Sequence, residues 1–226
     1  MEMMALRVIE NGGFISYRTE GDGSQSPYEL NITWYSAINS YNKKETDELQ
    51  VKRYLASRAI ALILQGVPGI YLHGLLGSKN DAEAVIEDEQ TRSINRKSLN
   101  KTELIRALLD PATTTYKVSY KLAGLIMSRS HRKAFHPNAK QRIIEAEECF
   151  FTVLRTSNDS MEHILAIINV TNKNQRFNFE QINLPVSSDK WKDIISKKEF
   201  NTANDIISLE LEPYDIFWLK PVSERK

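Results

Sequence analysis

The chain has 226 residues, of which 41% are hydrophobic and 26% charged, with a net charge of +1 at pH 7. That is a globular composition, long enough for one large domain or a medium domain plus a small one. The charge balance excludes a basic surplus that would draw the whole protein onto nucleic acid, and no apolar run approaches the length of a membrane span. One cysteine, Cys149, excludes an internal disulfide framework and fits a reducing cytosol. The opening Met1–Leu6 is too acidic and too short of apolar length to be a signal peptide. A cytoplasmic protein with no nucleic-acid or membrane partner is expected.

Met1–Asn11 carries the spacing of the last turns of an amphipathic helix, with Met4, Leu6, Val8 and Ile9 as candidate buried positions and Asn11-Gly12-Gly13 as its stop. A domain seldom starts on a helix without a cap, so the chain is expected to lack its own beginning. Phe14–Arg18 alternates like a strand, Gly21–Ser24 is turn chemistry, and Pro27–Ile32 is extended. Thr33–Ser40 has room for one or two helical turns. The spacing of Val51, Tyr54, Leu55, Arg58, Ala59, Leu62 and Ile63 predicts a helix over 46–65, capped by Asp47 and stopped by Gly66 and Pro68.

Ile70–His73 reads as a short buried strand, followed by a long polar loop that ends near Ser98. A buried strand opening into such a loop is how a (β/α)8 barrel presents a wall of its active site, because its chemistry sits at the carboxyl ends of the strands. Asn100 followed by Glu103 predicts a capped helix over about 101–109. A second helix is expected over about 113–131, with Tyr116, Tyr120, Ala123, Leu125, Ile126 and Met127 as its apolar residues. Beyond the turn at 134–138 the texture changes. Short runs at 141–146, 149–156, 163–169, 175–179, 190–195, 206–211 and 216–219, separated by polar turns, predict a small antiparallel β domain. The fold class expected is α/β plus β: residues 1–138 as the C-terminal portion of a barrel, 139–226 as the antiparallel β domain.

Several segments together resemble the sucrose phosphorylase-type branch of glycoside hydrolase family 13, the α-amylase superfamily. They are Gly12–Arg18, Asp22–Ile32 with Pro27-Tyr28-Glu29-Leu30, Gly66–Tyr71, Gly77-Ser78-Lys79-Asn80-Asp81, Arg92-Ser93-Ile94-Asn95-Arg96, and Ala134-Phe135-His136-Pro137-Asn138. Their order and spacing carry the match. The resemblance implies a retaining transfer of a glucosyl group from an α-glucoside to phosphate. Retention takes one carboxylate as nucleophile and one carboxyl as acid and base, with a third acidic residue steadying the transition state. Family members supply these from motifs of the types G-x-R-x-D, a Glu after an apolar strand, and His-Asp. None is found here: His73, His131, His136 and His163 are followed by Gly, Arg, Pro and Ile. No catalytic residue is assigned, and the chain reads as the C-terminal part of such an enzyme.

The resemblance assigns sugar contacts instead. It implies that Arg92 contacts the glucosyl unit at the cleavage site; the alternative is a surface arginine paired with Glu87 or Glu89. A planar fork of donors suits two vicinal hydroxyls or a carboxylate. Asn95 and Arg96 follow in the same segment, either contacting sugar or bracing the loop backbone. Tyr28 and Glu29 fall where the family has a mobile loop near the acceptor site, with Tyr28 stacking on sugar or packing under the loop. Sucrose-specific members resemble this chain but carry glutamine at the position of Glu29, so the acceptor stays open between fructose and another polyol or acid.

Other residues read as structural. Asp81 is expected to cap a helix or brace the loop rather than act as an acid, His73 to pack in its loop, and His136 to brace the junction between the two parts. Phe135, Trp191 and Trp218 are expected in the core, and Cys149 as a buried, inert thiol. Trp34 stays open as a sugar platform. There is no Cys/His cluster with metal spacing, no phosphate-cradling Gly loop and no basic stripe, so no metal or cofactor is expected.

The expected partners are an α-glucoside (sucrose or a glucosyl polyol or acid), inorganic phosphate, and a separate chain carrying the N-terminal half of the barrel. Two alternatives stand beside this reading. One is a non-catalytic accessory or sugar-binding protein. The other is a different family 13 activity, such as a glucosylglycerate or glucosylglycerol phosphorylase.

Overall fold

The structure, a computed structural model, describes residues 2–39 and 44–222. The chain divides into two compact units, one of Met1–Tyr54 and Ile70–Tyr120, the other of Leu55–Gly69 and Lys121–Lys226.

The first unit begins with α1 (Glu2–Glu10). It stops as expected: Gly12 takes φ +71°, and the Gly13 N–H donates to the Val8 carbonyl at 2.8 Å. Only Val8 of the four expected residues is buried; Met4, Leu6 and Ile9 are 62%, 64% and 55% exposed. Val8 lies where the chain turns into the hairpin, so close to Gly13 that a Cβ there would meet it at 2.7 Å. The hairpin pairs β1 (Phe14–Thr19) with β2 (Gln25–Asn31), antiparallel, with an irregularity between Ser16 and Tyr17. Its turn is closed by the Asp22 carboxylate, which accepts the Ser24 N–H at 2.9 Å.

Helix α2 (Trp34–Ile38) is capped by Thr33, whose hydroxyl accepts the Ser36 N–H. Helix α3 (Asp47–Ile63) begins at the residue expected to cap it. Thr46, not Asp47, accepts the Leu49 N–H on its side chain. Asp47 and Glu48 occupy the first turn, where acidic side chains complement the dipole.

The strand expected at Ile70–His73 is not formed. Helix α4 (Leu72–Leu76) starts there, and Tyr71 and Leu72 are 61% and 54% exposed. The reason is cooperative: a parallel strand exists only through hydrogen bonds to its neighbours. Every strand pairing among the described residues is antiparallel, and none lies beside Ile70. The expected long loop is also largely ordered as α5 (Ala82–Asp88) and a 3-10 turn (Thr91–Asn95). Asp81 caps α5 by accepting the Ala84 N–H, the structural role foreseen for it. Asn100 caps α6 (Lys101–Leu109) through the N–H groups of Thr102 and Glu103.

Helix α7 (Thr114–Ser130) runs from the first unit into the second. Its buried stripe is Val118, Leu122 and Leu125, at i, i+4 and i+7. Of the apolar residues named for it, Leu125 is buried, while Tyr120 and Met127 are 70% and 63% exposed. Counting apolar residues merged two faces of this helix, and only the one with a partner is buried.

In the second unit, β3 (Lys140–Ile143), β4 (Phe150–Thr156), β5 (His163–Asn169), β6 (Gln175–Glu180), β7 (Lys190–Asp193), β8 (Glu199–Asn201), β9 (Ile206–Leu211) and β10 (Ile216–Pro221) form the antiparallel β domain. The six-stranded sheet has the order β3-β4-β5-β10-β7-β8, and β6 pairs with β9. All seven residues of the central strand β5 are buried. Leu154, Leu165, Phe177, Trp191, Leu209 and Leu219 belong to one core cluster. Trp191 and Trp218 are fully buried, and the Trp191 indole N–H donates to Gln181 Oε1 at 2.8 Å. Only the three-residue β8 was not foreseen.

Arg155 is a fully buried charged side chain. Arg155 on β4 donates to the carbonyls of Ile63 at 2.7 Å and His136 at 3.0 Å, with longer bonds to Ala139 and Lys140. Arg129 donates to Leu62 and Gly66. Two guanidinium groups thus satisfy carbonyls at the end of α3, where the helix leaves them unpaired and the dipole favours positive charge. Burial lowers the pKa of both groups, Arg155 further through Arg129.

Candidate functional site

The residues assigned to sugar lie on two pieces of the first unit, the β1–β2 hairpin and the segment 91–96, and the loop 77–81 belongs to the same unit. The hairpin's alternation decides which side chains face the turn. Glu29 and Asn31 lie two apart on β2. Asn31 is buried and donates through Nδ2 to Ser16 Oγ at 2.8 Å, and Ser16 Oγ lies 3.2 Å from Thr91 Oγ1. Glu29 Oε2 accepts from Arg92 Nε at 2.8 Å. A polar ladder therefore fastens the turn to the strand, with fully buried Ile94 beneath it.

The ion pair joins two residues expected at the site. The partner of Arg92 is Glu29, not Glu87 or Glu89. It engages only the Nε–H of the guanidinium. Among the described residues the two terminal amino groups have no hydrogen bond, so the bidentate fork is held in place and left open. The Glu29 hydrogen bond, and then its charge, raise the Arg92 pKa above the usual guanidinium value.

Tyr28 is 61% exposed, so it does not pack under the loop. Asn95 is half-buried and Arg96 exposed. Among the described residues neither side chain makes a hydrogen bond, so the bracing expected of Asn95 is not seen. Ser93 Oγ instead donates to Asp88 at 2.6 Å. Asp81 N–H donates to the Ile94 carbonyl, and Lys97 lies 3.5 Å from the Asp81 carboxylate.

The organiser that the sequence reading passed over is Asn80. Its Oδ1 accepts from the Thr33 N–H and hydroxyl, at 2.9 and 3.1 Å. Its Nδ2 donates to the carbonyls of Asn11 and Gly12, both at 3.1 Å. One amide thus ties the end of α1, the start of α2 and the loop together. Its place in the Gly77–Asp81 segment was the available signal. His73 packs as expected: its Nδ1 lies 3.1 Å from Ser78 Oγ, and burial lowers its pKa. Cys149 is half-buried rather than buried, and burial raises its thiol pKa first, Glu147 second. Among the described residues no group of three or more His, Cys, Asp or Glu could hold a metal ion, and no helix is long and apolar enough to cross a membrane.

Residues 142–218 match the Maltogenic Amylase, C-terminal domain family. The glucosylglycerate phosphorylase of Spirochaeta thermophila is 33% identical over 231 residues, covering 100% of this chain and 39% of the relative. The chain belongs to the sucrose phosphorylase-type branch of glycoside hydrolase family 13. It is similar to the C-terminal part of the branch, and it spans about two fifths of the length of the first curated relatives it matches. The sucrose phosphorylase of Streptococcus mutans is 25% identical over 171 residues, with 73% of this chain and 32% of that protein covered. Among solved structures, the sucrose 6F-phosphate phosphorylase from Thermoanaerobacter thermosaccharolyticum superposes with a TM-score of 0.57 at 21% identity, over 75% of this chain and 31% of its own. At that identity it attests the fold: an α/β part followed by the small antiparallel β domain.

Proposed function

We propose that this chain is the C-terminal part of a retaining α-glucoside phosphorylase, holding sugar through the β1–β2 hairpin and the 91–96 segment while the catalytic carboxylates come from the preceding part of the barrel. That part is supplied by the same longer polypeptide or by a separate chain. Residues 1–138 contribute to the barrel, and 139–226 form the antiparallel β domain. Arg92 presents its open fork to the glucosyl unit. Glu29 fixes that fork, with Tyr28, Asn95 and Arg96 lining the acceptor side. The observation that carries this reading is the 2.8 Å pair between Glu29 and Arg92. It unites two segments that the family resemblance assigns separately to acceptor and glucosyl binding.

The acceptor we favour is glycerate. Matches named glucosylglycerate phosphorylase reach 33% identity over 100% and 94% of this chain, against 25% over 73% for a sucrose phosphorylase. The test joins this chain to the N-terminal part of the Spirochaeta thermophila relative. Phosphate-dependent release of glucose 1-phosphate from glucosylglycerate is expected from the fusion, and none from the chain alone. Turnover by the pure chain, or a fusion active on sucrose and silent on glucosylglycerate, would reject the respective half of the proposal.

A further inference from the structure

The segment Ala134-Phe135-His136-Pro137-Asn138 carries part of the family resemblance, yet the proposed function gives its side chains no role. The fold accounts for nearly all of it. Phe135 is 1% exposed, its ring 5.0 Å from that of Trp218. The Ala134 N–H donates to Glu162, the His136 carbonyl accepts from Arg155, and the Pro137 carbonyl accepts from the Gly66 N–H. The Asn138 N–H donates to His136 Nδ1 at 3.2 Å. Because Nδ1 accepts, the neutral ring carries its proton on Nε2. That leaves an exposed donor on His136.

It lines a groove of about 450 Å³ together with Arg129, His131, Arg132 and Lys133. No acidic side chain lines the groove. Lys133 pairs with Asp159 at 2.9 Å, and Arg132 with Glu162 at 3.3 Å. Both pairs leave donors over: the ammonium carries three, and Arg132 meets Glu162 through Nη1 alone, with no hydrogen bond to Nη2 among the described residues. Arg129 meets only carbonyls, so no carboxylate offsets its charge. The His131 Nδ1–H donates to the Met127 carbonyl at 2.8 Å, so Nε2 of the neutral ring is an acceptor, matched to the hydroxyl of a singly protonated phosphate. Spare donors on several cationic groups exceed what the two oxygens of a carboxylate can accept, and suit the terminal oxygens of a phosphate.

We propose that the turn 129–137 is a phosphate-binding site, taking inorganic phosphate or a phosphomonoester between His136, His131, Arg132 and Lys133. It stands apart from the sugar-binding reading and is tested without catalysis. Backbone amide resonances of the whole chain are followed while inorganic phosphate, and separately glucose 1-phosphate, is added at constant ionic strength balanced with chloride. Saturable shifts confined to 129–137 are expected. They should weaken about tenfold in the double variant H131A/H136A, with the circular dichroism spectrum unchanged. If that variant does not fold, exposed Lys133→Met reads the same groove alone. Equal affinity for both probes assigns recognition to the phosphate group itself; tighter ester binding adds a sugar contact at Pro137. Shifts that do not saturate by about 20 mM, or that survive in the variants, overturn the proposal.

Discussion

Arg92 and Glu29 lie 63 positions apart in sequence and 2.8 Å apart in the fold, joined through Nε alone. A pair this exposed adds little to stability, because water and salt screen it. Its consequence is orientational: the fork's remaining donors keep one direction. Arg92→Lys keeps the charge and loses the fork, so binding of glucosylglycerate by the chain should fall about tenfold, as it should in Arg92→Ala. Glu29→Gln keeps a hydrogen-bond acceptor and should lose less. The midpoint of thermal unfolding should move by no more than about 1 °C in all three. Ligand-observed NMR measures the binding; a lysine variant that binds like the parent removes the bidentate role.

Arg155 carries the opposite kind of interaction, a buried cation that stabilises by filling carbonyl acceptors. Arg155→Met keeps the volume and leaves the Ile63 and His136 carbonyls without their donors. Each such loss costs about 1–3 kcal/mol, so a drop of about 3 kcal/mol in unfolding free energy is expected. Arg155→Lys, with one tip for several carbonyls, should fall between. Urea denaturation with an unchanged slope measures it. A shift under about 0.5 kcal/mol would show that water replaces the guanidinium without penalty.

These two arginines mark what was readable in the sequence. The β domain was legible because its alternation and polar turns are local signals; β5 and the buried Trp191 and Trp218 lie where the pattern put them. Caps at Asn100 and Asp81 were legible for the same reason. Arg92 and Glu29 were each singled out through the family resemblance, but their pairing is a tertiary fact with no trace in spacing. Arg155 and Asn80 were missed because their partners are backbone carbonyls and amides, which leave no mark on residue identity. The strand expected at Ile70 depended on neighbours that the described residues do not supply. The buried stripe of α7 depended on which of two apolar faces finds a partner.

Asp159 gives a pH dependence whose sign is fixed. The Ser157 hydroxyl first, then Lys133, then the Met161 N–H stabilise its carboxylate and push its pKa far below the usual range. A folded-state pKa below the unfolded value means the contribution is full above the unfolded pKa of about 3.9 and is lost as pH falls toward the folded value. Asp159→Asn should therefore melt lower than the parent at pH 7, with the difference constant down to about pH 5 and shrinking below about pH 4. Thermal unfolding followed from pH 7 to pH 2 measures it. A gap that stays constant to pH 2 would assign the stabilisation to the shape of the turn and not to its charge.

Gly77 ends α4 in the left-handed region at φ +62°, with its N–H directed to the Gly74 and His73 carbonyls. Two penalties meet when a methyl is added there. The left-handed conformation costs an L-residue about 1 kcal/mol, and the new Cβ would lie 2.8 Å from Val118 Cγ2 and 3.0 Å from Val118 Cβ. Val118 is fully buried, and the contact reaches its branched carbon as well as a methyl, so it cannot simply swing aside. Gly77→Ala should cost about 2–4 kcal/mol, the sum of backbone strain and overpacking. The double variant G77A/V118A separates the two: removing the branched side chain relieves the clash and leaves the strain. Denaturant unfolding of the four proteins in the cycle should give a favourable coupling of about 1 kcal/mol or more. Strict additivity would mean that the loop moves away from Val118, and that the Gly77 requirement is one of backbone angle alone.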